Sequence, residues 1–175
     1  MDKIPFQTVQ DSIDKICSIT DENALESASQ HLFEAQPDLA GFFMEFIEDM
    51  SEEAQDLGFM MALILYKSFE EQYQALRAMN EDEIVERFEK SEAEFEKYLK
   101  INDDLLADLQ KKAESGGQPE VLNYIVEELF MSPELEPKLA SDEQVHLFII
   151  CKFFADCLHD VAHDTTGIPP TQLRH

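Results

Sequence analysis

The feature that most constrains the fold is an unbroken apolar run from Leu57 to Tyr66, with the sequence LGFMMALILY. An amphipathic surface helix has polar residues at regular intervals along one side, and this run has none. A second run, from Val145 to Leu158 (VHLFIICKFFADCL), has nearly the same character. We therefore expect two helices that are buried on nearly every side, with the other elements arranged around them.

The composition favours a single all-α domain. A chain of 175 residues with 44 % hydrophobic residues and 13 Phe can build a sizeable core. Only 5 residues are Gly, and the common residues Glu, Leu, Ala and Lys are good helix formers. We predict a compact bundle or array of about eight helices over residues 1–165, followed by a C-terminal tail at 166–175.

Helix starts are marked along the whole chain. A hydroxyl or amide side chain followed by acidic residues is typical of a helix N-cap, and proline fits the first turn of a helix. The predicted N-caps are Thr20, Ser51, Asn80, Asn102 and Ser141, with capping boxes at Asn80–Glu83 and Ser141–Gln144, and the predicted opening prolines are Pro37 and Pro119. The helix after Pro119 is expected to reach Phe130, and the last helix is expected to end near His163.

The two halves of the chain resemble each other. A shift of 82 residues places Gln36 and Pro37 over Gln118 and Pro119, and it also superimposes the predicted caps Thr20 and Asn102. The alternative is that any two acidic amphipathic helices look alike. A constant offset shared by caps, prolines and apolar positions nevertheless indicates tandem duplication of a four-helix unit. The predicted halves are about 6–78 and 82–164, each with one of the two apolar runs.

The net charge is strongly negative. The formal value is -25; residues 1–80 hold 16 acidic and 4 basic residues, and the remainder holds 22 acidic and 9 basic. Such a surface repels phosphate backbones and anionic lipids, which argues against nucleic-acid and membrane binding. It attracts basic partners. One such protein would be an acidic DNA mimic, which covers the basic nucleic-acid-binding surface of another protein. Solubility alone is the alternative explanation.

The chain has the features of a cytoplasmic protein. Its N-terminus, MDKIPFQTVQD, lacks the pattern of a secretory signal, and neither apolar run reaches the ~20 residues that span a bilayer. Cys17, Cys151 and Cys157 all lie among apolar neighbours. We expect buried, reduced thiols that act as small hydrophobic residues.

The end of the last helix holds the strongest candidate metal ligands. Asp156, His159 and His163 share one side of a helix, and two His at i and i+4 can chelate a divalent metal. The alternative is that this is the solvated side of an otherwise apolar helix. We weigh the solvated side more heavily, and no cofactor is predicted.

Two further acidic patterns are weaker. Glu143 and His146 match one half of a di-iron Glu-x-x-His site, but no second half exists. Asp103, Asp104 and Asp108 resemble a paired-aspartate Mg²⁺ motif, but their spacing is one residue too long. Asp103 and Asp104 are better explained as acids in the first turn of a helix.

The leading functional hypothesis is a non-enzymatic, acidic helical protein that mediates protein–protein interaction. Its partner would be a basic protein, or a helix that docks on a groove lined by Phe and Met side chains; homo-oligomerisation is left open. The groove residues would come from Phe42, Phe43, Phe46, Phe59, Met60 and Met61, although their helical spacing favours burial in the core. A metal-binding protein or metal-dependent enzyme using Asp156, His159 and His163 is the second hypothesis, and a DNA mimic is the third.

Overall fold

The described part of the chain folds into eight α-helices packed in a compact array, which confirms the all-α prediction. The computed structural model describes residues 3–73, 76–100, 102–131 and 139–163, and no strand occurs among them. The helices are α1 Phe6–Cys17, α2 Glu22–Ala35, α3 Pro37–Ile47, α4 Glu52–Tyr73, α5 Glu81–Tyr98, α6 Asp103–Gly116, α7 Pro119–Val126 and α8 Ser141–His163. The predicted tail at 166–175 lies outside the described residues. Within the described ranges, no helix is both long enough and apolar enough to cross a bilayer.

The two apolar runs form the centre of the fold, as predicted. They lie on α4 and α8, which pack against each other more extensively than any other pair of described helices. Gly58 has no side chain, so Leu147 of α8 can approach the α4 backbone closely; a Cβ at Gly58 would lie 3.0 Å from the leucine Cδ2. Met61 and Phe154 are fully buried in the same core.

A hydrogen-bonded contact also joins the starts of the central helices. The Ser51 hydroxyl accepts from the Ala54 backbone N–H at 3.2 Å, which is the predicted N-cap of α4. The backbone N–H and the hydroxyl of Ser51 donate to the Glu143 carboxylate at 2.7 and 3.0 Å. Glu143 therefore has a structural role that links α8 to the cap of α4.

The peripheral helices contact each other reciprocally across the two halves. Helix α3 of the first half packs on α5, the first helix of the second half, and α7 packs on α1. An aromatic cluster fills the α3–α5–α8 junction, where the Phe42 and Phe88 rings lie 5.3 Å apart and the Phe88 and Phe153 rings 5.4 Å apart. The two halves thus share one core.

Two buried glutamines repeat this reciprocal contact. The Gln36 side chain accepts from the Met79 backbone N–H at 3.0 Å and donates to the Arg77 carbonyl at 2.9 Å. The Gln118 side chain accepts from the Ile4 backbone N–H at 2.8 Å. Each glutamine therefore holds the segment that leads into the first helix of the other half. Two copies arising by duplication would show such reciprocity, and the duplication itself remains a prediction.

Most predicted helix ends agree with the structure, and two do not. Asn80 and Glu83 form the predicted capping box, Asn102 caps α6, and Pro37 and Pro119 open α3 and α7.

The cap predicted at Thr20 is wrong, because the neighbouring Asp21 accepts from the Asn23 N–H at 3.0 Å. The capping box predicted at Ser141–Gln144 is also wrong. Helix α8 already includes Ser141, and the Gln144 side chain donates to the Leu129 carbonyl at 2.9 Å.

Two further differences concern the end of α7 and one cysteine. The helix predicted to continue to Phe130 leaves α-geometry at Val126 and continues as a π-helical turn, Glu127–Met131. Cys17 was expected to be buried but is exposed, whereas Cys151 and Cys157 are buried as predicted. Cys17 is the last residue of α1 and does not belong to the buried side of this helix, which consists of Val9, Ser12 and Ile16.

Candidate functional site

A cavity of about 510 Å³ opens between α5, α6, α7 and α8. In the first half, α1 packs extensively against α4. Its counterpart in the second half, α5, packs less extensively against α8, and the cavity lies beside this smaller contact. Its volume is within the range of roughly 300–1,000 Å³ that is typical of ligand sites. We call it the α5–α8 cavity.

One wall of the α5–α8 cavity is apolar. Helix α6 contributes Leu105 and Leu109, and α7 contributes Val121, Leu122 and Ile125. Val121, Leu122 and Ile125 also belong to the buried core, so the floor of the cavity is a surface of the core itself. An apolar body placed there would lose contact with water without displacing any protein side chain.

The opposite wall carries charges that neutralise each other. The Arg87 Nε donates to Asp160 at 2.9 Å, and the Lys152 Nζ donates to Asp156 at 2.9 Å. The Arg87 guanidinium also lies 3.9 Å from Asp156. Burial would lower the pKa of Arg87, but the charges of Asp160 and Asp156 outweigh it and raise the pKa above the ordinary value. The two carboxylates are therefore already paired with cations.

Tyr98 forms the end of this charged wall. Its hydroxyl donates to Glu94 at 3.1 Å, and the Lys152 Nζ lies 5.9 Å from the centre of its ring. Burial and the nearby Glu94 charge raise the pKa of Tyr98 well above its ordinary value. The phenol therefore stays protonated at neutral pH and acts as a donor.

His159 lies on the same wall, close to a buried glutamine. The Nδ1 of His159 is 3.2 Å from Nε2 of Gln118, and the same amide nitrogen donates to the Tyr73 hydroxyl at 2.5 Å. Because the carbonyl oxygen of Gln118 is occupied by the Ile4 N–H, the orientation of the amide is determined. The sequence candidates Asp156 and His159 are thus brought together in the α5–α8 cavity.

The metal hypothesis stays a prediction. The side chain of His163, its third member, lies outside the described residues. Within the described part of the chain, no three His, Cys, Asp or Glu side chains come close enough together to hold a metal. The Asp156 carboxylate is bound to Lys152 and Arg87, so a metal there would have to displace them.

The other acidic motifs have structural explanations in the fold. The Glu143 carboxylate accepts both Ser51 hydrogen bonds, and the Nδ1 of His146 lies 2.6 Å from the Asp142 carbonyl oxygen. Asp103 and Asp104 are exposed in the first turn of α6, where acids are favourable.

Two lysines at the mouth of the α5–α8 cavity belong to none of the sequence motifs described above. Lys97 on α5 and Lys112 on α6 line the cavity and are exposed. Neither forms an ion pair with another described residue, in contrast to Arg87 and Lys152. No sequence motif could have shown that these two cations face one cavity, because they come from different helices.

A second candidate surface lies on the first half. No Lys or Arg occurs between residues 16 and 66, a span that covers α2, α3 and most of α4. Its eleven carboxylate side chains are all exposed, and none is ion-paired within the described part of the chain. They are Asp21, Glu22, Glu26, Glu34, Asp38, Glu45, Glu48, Asp49, Glu52, Glu53 and Asp56. We call this the α2–α4 acidic surface.

A shallow apolar depression lies between α2, α3 and α4, the helices that carry most of these carboxylates. Phe33 of α2, Met44 of α3 and Phe59 of α4 contribute to its lining, and Phe33 is 37 % exposed. Glu48 follows Met44 by one helical turn, and Asp56 precedes Phe59 by one turn, so each acid shares a helix face with an apolar side chain. The α2–α4 acidic surface therefore combines apolar area with charge of one sign.

Most of the Phe and Met side chains considered for a groove belong to the core or pack against it, as their helical spacing predicted. Phe43 and Met61 are fully buried, and Phe42 and Phe46 pack against a phenylalanine of α5. Phe43 and Phe59 are the members of that set that line the depression, and Phe59 is the more exposed of the two.

Comparison with family models, with curated proteins and with solved structures finds no match for this chain.

Proposed function

We propose that this chain is a non-enzymatic interaction protein that binds a basic protein partner through the α2–α4 acidic surface. The observation that carries the proposal is the set of eleven exposed carboxylates in a span without a single Lys or Arg. Carboxylates close together repel each other, and cationic side chains from a partner relieve that repulsion. Charge complementarity of this kind speeds association and excludes acidic partners.

The apolar depression gives the partner a more definite chemistry. Phe33, Met44 and Phe59 are large, part-exposed side chains, and binding energy at interfaces is concentrated in such apolar anchors at the centre of a polar rim. The fitting partner is an amphipathic segment with one or two apolar residues that pack against the exposed parts of these three side chains and with Lys or Arg residues around them. An amphipathic helix in a groove is a common form of this contact.

A cytoplasmic location belongs to the same proposal. Cys17, Cys151 and Cys157 are all present as free thiols, and exposed thiols such as Cys17 persist in reducing compartments.

Two charge-reversal variants test the acidic surface. Glu48→Lys/Asp56→Lys changes the rim of the depression, and Glu92→Lys/Glu96→Lys makes the same change in net charge on the exposed side of α5. The probe is a fluorescent amphipathic Lys/Leu helical peptide, and its binding is followed by anisotropy at increasing salt. The rim variant should weaken binding about tenfold, since two favourable charge contacts become repulsive, and the α5 variant should have a much smaller effect.

Salt provides the second readout. Wild-type affinity should fall steeply between low and moderate salt, because exposed charges are screened over a Debye length of about 10 Å at 0.1 M salt. Equal effects of the two charge reversals, or affinity that does not change with salt, would contradict the proposal. If a natural partner is itself a nucleic-acid-binding protein, competition by short duplex DNA identifies the DNA-mimic form of the interaction.

A further inference from the structure

The α5–α8 cavity has a charge balance opposite to that of the whole chain. Its cationic lining residues are Arg87, Lys97, Lys112 and Lys152, and its acidic ones are Glu94, Asp156 and Asp160. Four positive and three negative groups leave one net positive charge, in a chain whose formal charge is -25. This local balance requires a physical explanation, because an acidic protein has few cations to distribute.

The cations of the cavity fall into two groups. Arg87 and Lys152 are paired with Asp160 and Asp156 at 2.9 Å each, so they maintain the charged wall. Lys97 and Lys112 are exposed at the mouth and form no ion pair within the described ranges. Only this second group can neutralise a ligand without breaking an existing contact.

The rest of the cavity defines the body of the ligand. The wall made by α6 and α7 presents the apolar side chains Leu105, Leu109, Val121, Leu122 and Ile125. A fully polar ligand would leave this wall uncovered, and a purely apolar one would leave the mouth lysines unused. An apolar body with a negatively charged end satisfies both.

We propose that the α5–α8 cavity binds a small amphiphilic carboxylate, with its apolar body against α6 and α7 and its carboxylate between Lys97 and Lys112. A single negative charge matches the single net positive charge of the lining. This site lies on the second half of the chain and is independent of the α2–α4 acidic surface.

Isothermal titration calorimetry with three probes of equal chain length tests the ligand class. The probes are decanoate, neutral decanol and cationic decylamine. Decanoate should bind best, at least about tenfold more tightly than decanol, because charge-assisted hydrogen bonds are the stronger kind. Equal binding of decanoate and decanol, preferred binding of decylamine, or no heat with decanoate overturns the proposal.

Neighbouring lysines provide matched controls for the site. The test variant is Lys97→Gln/Lys112→Gln, and the control is Lys90→Gln/Lys111→Gln. Lys90 and Lys111 lie on the same two helices, α5 and α6, are exposed, and do not line the cavity. Both variants lose two positive charges, so any general repulsion of anions by the more acidic chain is equal in the two.

The test variant should bind decanoate about tenfold more weakly, and the control should bind within about twofold of wild type. A third variant, Ala113→Phe, fills the cavity and should abolish decanoate binding without a change in net charge. Equal decanoate affinity of the two lysine variants, or normal affinity of a folded Ala113→Phe protein, overturns the proposal. Binding of the basic helical peptide should be unchanged in all three, which separates a failure of this site from a failure of the acidic surface.

Discussion

The buried glutamine that joins the two halves provides the sharpest test of the fold. We consider Gln36→Met, because methionine is unbranched and of similar length but has neither the amide donor nor the amide acceptor. Gln36 is fully buried, so the substitution preserves packing volume. It removes the hydrogen bonds to the Met79 N–H at 3.0 Å and to the Arg77 carbonyl at 2.9 Å.

The expected cost follows from these two partners. The Met79 N–H is buried, and a buried donor without a partner costs about 1–3 kcal/mol. The Arg77 carbonyl is only part-buried and can turn to water, so its loss is about 0.5–1.5 kcal/mol. We expect the free energy of unfolding to fall by about 2–4 kcal/mol, which lowers the urea midpoint by about 1–2 M for a slope near 2 kcal/mol/M.

Urea unfolding followed by circular dichroism measures this change. The control is Gln30→Met, which removes only an exposed hydrogen bond from Gln30 to Glu34 at 3.1 Å and should change stability by less than about 0.5 kcal/mol. If Gln36→Met unfolds at the same urea concentration as Gln30→Met, the glutamine does not hold the halves together as described.

Three further outcomes are expected. Gly58→Leu should destabilise the protein by at least about 2 kcal/mol in the same urea assay, because α8 occupies the space for a side chain; an unchanged midpoint would show that the central helices are farther apart. In native protein, a thiol reagent should label Cys17 alone, and it should label Cys151 and Cys157 only in urea. Burial raises the pKa of the Cys151 and Cys157 thiols well above the ordinary value, and it also raises the pKa of the Cys17 thiol. Hydrogen bonds from Lys67 and Lys15 lower the pKa of Glu71, so its ion pairs stabilise the fold above the unfolded-state pKa and are lost as pH falls through the lower folded-state value. Glu71→Gln should therefore be less stable than wild type near pH 7, and the difference should shrink as pH falls through the lowered folded-state pKa; a difference that does not shrink with falling pH would show a cause other than charge.

The sequence predicted the parts of the fold that depend on local chemistry and on long apolar runs. The runs at Leu57–Tyr66 and Val145–Leu158 identified the central helices, because only a buried helix tolerates apolar residues on every side. Asn80 and Asn102 were recognised as caps because a side-chain acceptor close to the first free N–H groups needs no tertiary context. The Ser141–Gln144 capping box did not form, because the Gln144 side chain has a tertiary partner, the Leu129 carbonyl.

The candidate sites were predicted less well, for different reasons. Asp156 and His159 were found because they interrupt an apolar helix, and they do line the α5–α8 cavity. The cavity itself depends on the spacing between α5 and α8, which no local pattern encodes, so Lys97 and Lys112 were missed. The α2–α4 acidic surface was missed because dividing the charge between two halves concealed the cation-free span; a search for windows without Lys or Arg would have found it.

The most direct test of the proposed function is hydrogen–deuterium exchange of the chain with and without the basic helical peptide. Binding at the α2–α4 acidic surface should slow amide exchange around Phe33, Met44 and Phe59 and leave α5 and α6 unchanged, since amide protection reports local opening. Two results would contradict binding at the α2–α4 acidic surface. One is protection confined to α5 and α6, and the other is the absence of protection at a peptide concentration that saturates the anisotropy signal.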